Sequence, residues 1–293
     1  MDENAASARP SAPASGGSFR RPKGARLGGG LWARVVSSVI LAPVALAAVY
    51  YGSPWFALLV AVATAGMTWE WGRLIGWTET GVEAALLIGL GAGTALVAGL
   101  LSPSGAVGLA VGATLAMYVL SRRAKRGPLW LAAGLVWILL PCAGLIWLRD
   151  DAEIGLATTI WMLALVWAVD IGAYVTGKSV GGPRLAPRIS PTKTWSGLGG
   201  GVVGAAIVGL VAALVLEVPS PWVLVGASGV LALIEQIGDI AESYAKRRFG
   251  VKDSSDLIPG HGGILDRLDG MLAVAAAVVV FQIVTGESIL LWH

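Results

Sequence analysis

The stretch LATTIWMLALVWAVDIGAYVTG, residues 156–177, settles the class of this chain. It runs for 22 residues with one charged side chain, Asp170. A helix of that length covers the roughly 30 Å of hydrocarbon in a bilayer. A transmembrane barrel would instead show short segments of alternating polarity.

The pattern recurs in both directions. Apolar runs at 35–51, 54–69, 82–101, 105–121, 129–148, 198–216, 221–238 and 271–291 bring the expected number of spans to nine. The 293 residues are 56% hydrophobic and 13% charged, where a soluble domain carries about a quarter charged residues. The expected fold is therefore all-α: a polytopic membrane protein of about nine transmembrane helices. Pro54, Pro103, Pro128 and Pro221 fall at or near starts and turns, where proline is tolerated. Trp32, Trp55, Trp69, Trp71, Trp130, Trp147, Trp222 and Trp292 lie near span ends, as interfacial tryptophans do. GLGGGVVGAAIVG (197–209) carries small residues that permit close helix contact. Residues 1–30, rich in Ala, Ser, Pro, Gly and Arg, are expected to form a disordered basic tail. Residues 31–155 then hold five spans, and 156–293 hold four spans with two long polar loops. No internal repeat is visible.

Charge sets the expected orientation. With the N-terminus in the cytoplasm and nine alternating spans, every lysine and arginine except Arg149 falls on the cytoplasmic side. That bias fits the positive-inside rule and places the C-terminus outside. A single cysteine, Cys142, lies in an apolar run and reads as a small buried hydrophobe. The pI near 9.2 points to anionic lipid and not to nucleic acid, because no soluble domain offers a basic surface.

Two polar loops share the cytoplasmic side. The first is DIGAYVTGKSVGGPRLAPRISPTKTWSG (170–197); the second runs from Glu235 to Gly270 and contains ESYAKRRFGVKDSSDLIPGHGGILDRLDG (242–270). On a helix Asp239, Ser243 and Lys246 occur at i, i+4 and i+7 and share one face, with Glu242 beside it. PGHGG (259–263) brings glycines that let backbone approach a ligand and present N–H groups to phosphate. Asp266, Arg267 and Asp269 follow at a helix start. Oxygen ligands arriving from separate segments suit Mg²⁺ that also holds substrate phosphates. In the first loop Ser190, Thr192 and Thr194 offer hydroxyls, and Lys193 offers a compact charge for phosphate. Asp170, Glu235 and Asp239 end apolar spans, where ionisable groups are expensive and usually functional.

Plainer readings stand beside these. Lys246, Arg247 and Arg248 alone read as a topology signal. His261 between glycines reads equally as a turn residue or a base. Asp266 and Asp269 read equally as helix caps. Glu70, in WEWGR, reads equally as an interfacial surface acid. Taken together, an acidic metal site beside a basic loop suits phosphoryl or nucleotidyl transfer, where catalysis is largely positioning and charge neutralisation.

The segment SYAKRRFGVKDSSDLIPGHGGILDRLD (243–269) resembles the signature of the phosphatidate cytidylyltransferase, or CDP-diacylglycerol synthase, family. Ser243, Lys246, Arg247, Lys252, Asp253, Ser255, Ile258, Pro259, His261, Gly262, Gly263, Asp266, Arg267 and Asp269 fit it; Ala245 is smaller than usual. DIGAYVTGKSVG and SPTKTWSG resemble the family's upstream motifs, with Ser196 where the family commonly has Glu. The resemblance is strong over about 170–270 and general over the first five spans.

The resemblance implies that CTP and phosphatidate give CDP-diacylglycerol and pyrophosphate at the inner membrane, in an active site facing the cytoplasm. It implies Mg²⁺ on Asp239 and Asp266, admits a second, monovalent cation, and implies a homodimer. Lys193, Lys246, Arg247 and Arg267 would neutralise phosphates. Asp269 and His261 are further catalytic candidates. Ser190, Thr194, Ser243, Lys252, Gly262, Gly263 and Asp170 complete the expected substrate contacts. Two rivals fit less well. A CDP-alcohol phosphotransferase would continue DGMLA (269–273) with an arginine and further aspartates, which the chain lacks. A transporter with Asp170, Glu235 and Asp239 on an ion path leaves the HGG and DRLD residues unexplained.

Overall fold

The computed structural model describes residues 30–77, 81–123, 127–218 and 220–292. The expected tail and the basic residues Arg9, Arg20, Arg21, Lys23, Arg26, Lys125 and Arg126 lie outside them. Among the described residues there are nine helices: α1 (Gly30–Tyr51), α2 (Trp55–Leu74), α3 (Gly81–Leu100), α4 (Pro103–Arg123), α5 (Pro128–Arg149), α6 (Gly155–Ser179), α7 (Trp195–Val215), α8 (Pro221–Arg248) and α9 (Leu265–Thr285). Seven of them, α3 to α9, are long and apolar enough to cross a membrane. Helix α1 is apolar over the shorter stretch Val35–Tyr51, and α2 carries Glu70 and Arg73. The chain is thus an all-α polytopic membrane protein with one small addition, a two-stranded antiparallel hairpin of β1 (Arg184–Ala186) and β2 (Ser190–Thr194).

Two boundaries differ from the expectation. Helix α8 does not stop near Gly238 but continues through Arg248, for 28 residues. Residues 239–248 are too polar to extend an apolar span but keep an unbroken helical ladder, because Lys246 answers acids on α8 and α9. Helix α9 begins at Leu265 instead of 271 and ends before Gly286, whose φ of 76° suits a left-handed helix terminator. Asp266 and Asp269 therefore belong to the first turns of α9. The second loop shrinks to 249–264, and the first to 180–194.

Packing follows residue size. The face of α7 holding Gly197, Gly201, Ala205, Gly209 and Ala213 is buried, whereas Val203, Ile207, Val211 and Leu214 are exposed. Small residues on the buried face let backbones meet: a Cβ on Gly172 of α6 would lie 2.4 Å from the Gly200 carbonyl oxygen. Without water to drive helices together, such close packing supplies association. One apolar cluster joins α2, α3 and α5 through Met67, Leu87, Leu131, Leu135 and Ile138. A second joins α5, α6, α8 and α9 through Leu148, Met162, Leu165, Leu231 and Val274.

Side-chain contacts identify the two ends. At one end the Trp71 indole N–H of α2 donates to the Trp130 carbonyl of α5 at 2.9 Å. Trp130 packs on Tyr244 and Phe249 at the end of α8. The β hairpin and the 249–264 loop lie at this end. At the other end Arg149 donates to the carbonyls of Val49, at 2.5 Å, and Tyr50, at 2.8 Å. The one base that departs from the charge bias thus serves to cap the last turn of α1.

Candidate active site

Three segments converge where α8 leaves the apolar layer. The hairpin delivers the first group. Its strands pair Arg184 with Thr194 and Ala186 with Ser190. Thr194 is buried and caps α7, its hydroxyl accepting from the Gly197 N–H at 3.0 Å. That cap fixes the exit of β2 and aims the preceding residue, Lys193, at α8. The Lys193 ammonium lies 2.5 Å from Asp239 Oδ2 and donates to Gln236 Oε1 at 2.9 Å. Gln236 in turn donates to Glu235 at 2.7 Å. Ser243, one turn beyond Asp239, donates to its Oδ1 at 3.4 Å. Ser196, left outside the expected site, bonds the Gly181 carbonyl and closes the hairpin base.

The second group joins α8 to α9. Lys246 lies 2.5 Å from Glu242 Oε2 and 2.8 Å from Asp266 Oδ1. Asp266 also accepts from the N–H groups of Ser254, at 3.0 Å, and Gly263, at 2.9 Å, both on Oδ2. Both of its oxygens are engaged. Asp239 and Asp266 thus have separate partners, and Asp269 stands between the groups. Asp269 is in electrostatic range of Asp239, Asp170 and Lys246, and Asp170 is in range of Asp239, Lys193 and Arg267.

The loop residues are placed as follows. Arg247 donates to the carbonyl of Ile189 at the hairpin turn, at 3.2 Å, and to that of Val251 at 3.1 Å. Arg267 donates through Nε and Nη2 to the His261 carbonyl, at 3.0 and 2.7 Å. The His261 ring lies 2.9 Å from Ser37 Oγ through Nδ1 and 3.3 Å from Ser38 Oγ through Nε2. Lys252 is exposed and borders a cavity of about 620 Å³ with His261, Gly262 and Arg267. Ser190 is half-buried on β2. A second cavity, of about 440 Å³, is lined by Asp170, Lys178, Arg184, Lys193, Thr194 and Asp239.

The main residue that the sequence left undecided is Glu70. It is not an interfacial surface acid; it is fully buried. Its Oε1 accepts from Ser255 Oγ at 2.5 Å and from the Ile264 N–H at 2.9 Å; its Oε2 accepts from Ser254 Oγ at 3.2 Å and from the Leu265 N–H at 2.8 Å. A carboxylate at the start of α9 satisfies orphan N–H groups and complements the helix dipole. Gly263 makes room for it, since a Cβ there would lie 1.9 Å from Ser254 Oγ and 2.8 Å from Glu70 Oε1. Ser37, Ser38, Gln236 and Glu242 were missed as well. Only Glu242, adjacent to the polar face of α8, carried a local signal.

Acids and bases alternate across this surface. Carboxylates from α6, α8 and α9 supply hard oxygen donors, and lysines from two segments supply charge for an anion. Among the described residues no three acidic, histidine or cysteine side chains form a complete metal cage.

The pattern of the cytidylyltransferase family matches residues 32–284. A protein of Brucella suis biovar 1 (strain 1330) named phosphatidate cytidylyltransferase is 37% identical over 268 residues, covering 88% of this chain and 95% of that one. A Pseudomonas aeruginosa protein of the same name is 32% identical over 259 residues, covering 85% and 94%. One from Bacillus subtilis (strain 168) is 42% identical over 128 residues, covering 43% and 48%.

Proposed function

Because the chain belongs to the cytidylyltransferase family and is a nucleotidyltransferase, we propose that it moves the cytidylyl group of CTP onto phosphatidate, giving CDP-diacylglycerol and pyrophosphate. The observation that carries this reading is the Lys193–Asp239 pair. It joins a basic hairpin to an acidic helix at one end of the membrane-spanning bundle.

In this reading an oxygen of the lipid phosphate attacks the α-phosphorus of CTP. A new P–O bond forms, the bond to the β-phosphate oxygen breaks, and pyrophosphate leaves. A phosphate monoester is already a nucleophile near neutral pH, so no strong base is required. Lys193 exchanges Asp239 for a CTP phosphate, and Lys246 exchanges Asp266 likewise. Both lysines arrive already desolvated and aimed, which lowers the cost of positioning. Arg247 and Arg267 add charge at the rim. Thr194 and Arg184 hold the hairpin in register, so that Lys193 meets the nucleotide in one place.

Mg²⁺ is the expected cofactor, with Asp239 and Asp266 as its protein ligands. The residues fit such a cation. Asp170, Glu235, Asp239 and Asp269 crowd like charges within electrostatic range, with Lys193 as counter-charge to the first three and Lys246 to Asp269. Asp266 would serve the ion once Lys246, its present partner, faces phosphate. The ion would neutralise charge building on the transferred and leaving oxygens. A second, monovalent cation would draw on the same acids. The site faces the cytoplasm across the inner membrane, as the clustering of basic residues at this end supports.

Purified protein supplied with CTP labelled at the α-phosphorus, phosphatidate and Mg²⁺ should place label in the lipid phase and release pyrophosphate stoichiometrically. Label that stays in the aqueous phase would refute the reading.

A further inference from the structure

Two polar cavities open at the same end of the bundle, and they differ in what adjoins them. We propose that the polar cleft formed by the 249–264 loop and Arg267, beside α1, is the subsite for the lipid phosphate, leaving the hairpin cavity to the nucleotide. This assignment rests on the function proposed above and adds where each substrate sits.

The cleft of about 620 Å³ shares Ile258 and Pro259 with an apolar groove of about 520 Å³. Trp32, Val36, Ile40 and Leu257 line that groove. Trp32 and Ile40 are 73% and 58% exposed, an apolar surface of the kind acyl chains would cover. A polar pocket continuous with an apolar trough matches a phosphate monoester on a diacylglycerol. A nucleotide has no use for the trough.

Charge separates the two sites in the same sense. Lys252 and Arg267 in the cleft are offset by Asp253 and Asp256, with His261 beside them. A small dianion can be held there by directional donors, while a triphosphate gains little from the net field. The hairpin cavity sets Lys178, Arg184 and Lys193 against Asp170 and Asp239 and suits the more highly charged ligand. Geometry also couples head to tail. Ser37 and Ser38 of α1 meet both ring nitrogens of His261, so the groove helix and the phosphate loop are locked together. Arg267, on the wall of the cleft, lies within electrostatic range of Asp170 in the hairpin cavity.

The test uses the full chain in detergent micelles with Lys252→Ala, Val36→Trp and the control Val203→Trp, at an exposed position of α7 outside the groove. Lys252→Ala should raise KM for dioleoyl-phosphatidate about tenfold, the loss of one charge-assisted contact, with KM for CTP unchanged. It should also blunt inhibition by inorganic phosphate. Val36→Trp, which fills the groove, should raise KM for dioleoyl-phosphatidate but leave inhibition by inorganic phosphate intact, whereas Val203→Trp should behave as wild type. Equilibrium binding of radiolabelled dioleoyl-phosphatidate without CTP gives an independent readout. If wild type makes no lipid product yet Lys252→Ala and Val36→Trp lose lipid binding, the functional reading fails and the subsite stands. Altered KM for CTP alone, or unchanged lipid binding in both variants, overturns the subsite.

Discussion

Glu70 on α2 accepts the backbone N–H of Leu265 at 2.8 Å, joining residues 195 positions apart at the first turn of α9. The same carboxylate holds Ser254, Ser255 and Ile264, so the loop that presents Asp266 to Lys246 is anchored to the N-terminal half of the bundle.

Glu70→Ala should therefore lower stability by about 2–5 kcal/mol, because two buried N–H groups and two hydroxyls lose their acceptor. Glu70→Gln, which keeps the shape, should cost less but still turn an amide donor toward N–H groups. Thermal unfolding of the purified protein in detergent checks both. A wild-type midpoint for Glu70→Ala would show that water replaces the carboxylate.

Gly263→Ala should damage the same corner. The added methyl would overlap Ser254 Oγ at 1.9 Å and crowd Glu70. Overpacking of this kind costs about 1–3 kcal/mol. Gly226→Ala on α8, where a Cβ meets nothing within 4 Å, serves as the control and should leave both activity and unfolding midpoint unchanged. Equal effects from the two substitutions would contradict the packing at Gly263.

Asp239→Asn should reduce turnover by about 100-fold or more while leaving the unfolding midpoint within a few degrees, as expected for a group that matters most when charge develops. Lys193→Met should behave similarly, and the double variant should be little worse than either single one, since paired residues are strongly non-additive. Steady-state rates for the three proteins decide this; full additivity would mean the two side chains act apart.

Removal of divalent metal should abolish lipid labelling, and added Mg²⁺ should restore it. Activity that survives exhaustive chelation would remove Mg²⁺ from the proposal and leave the lysines as the sole source of charge neutralisation.

The orientation can be tested with single cysteines. Cys142 is buried, so its replacement should be tolerated and labelling at other sites can be read without background. In intact cells a membrane-impermeant maleimide should miss a cysteine at exposed Arg188 on the hairpin and label one at exposed Glu153, at the opposite end. After permeabilisation both should react. The reverse result would invert the assigned topology.

The class of the molecule was legible without coordinates because the signal is local. A run such as 156–177 is compared only with the thickness of a bilayer, and its neighbours in space do not enter. The same holds for the basic residues that gather at one end, and for the spacing of Asp239, Ser243 and Lys246 along one helical face. Tertiary structure decided the partners. Lys193 could have served any acid in the second loop, and the hairpin register together with the Thr194 cap select Asp239. Glu70 read equally as a functional acid and as a surface one, because its flanking tryptophans suit an interface; only the approach of α9 makes it a buried anchor. Hydrocarbon length is a one-dimensional property of the chain. The match of one charge to another depends on which helices share small-residue faces, and that is settled by packing.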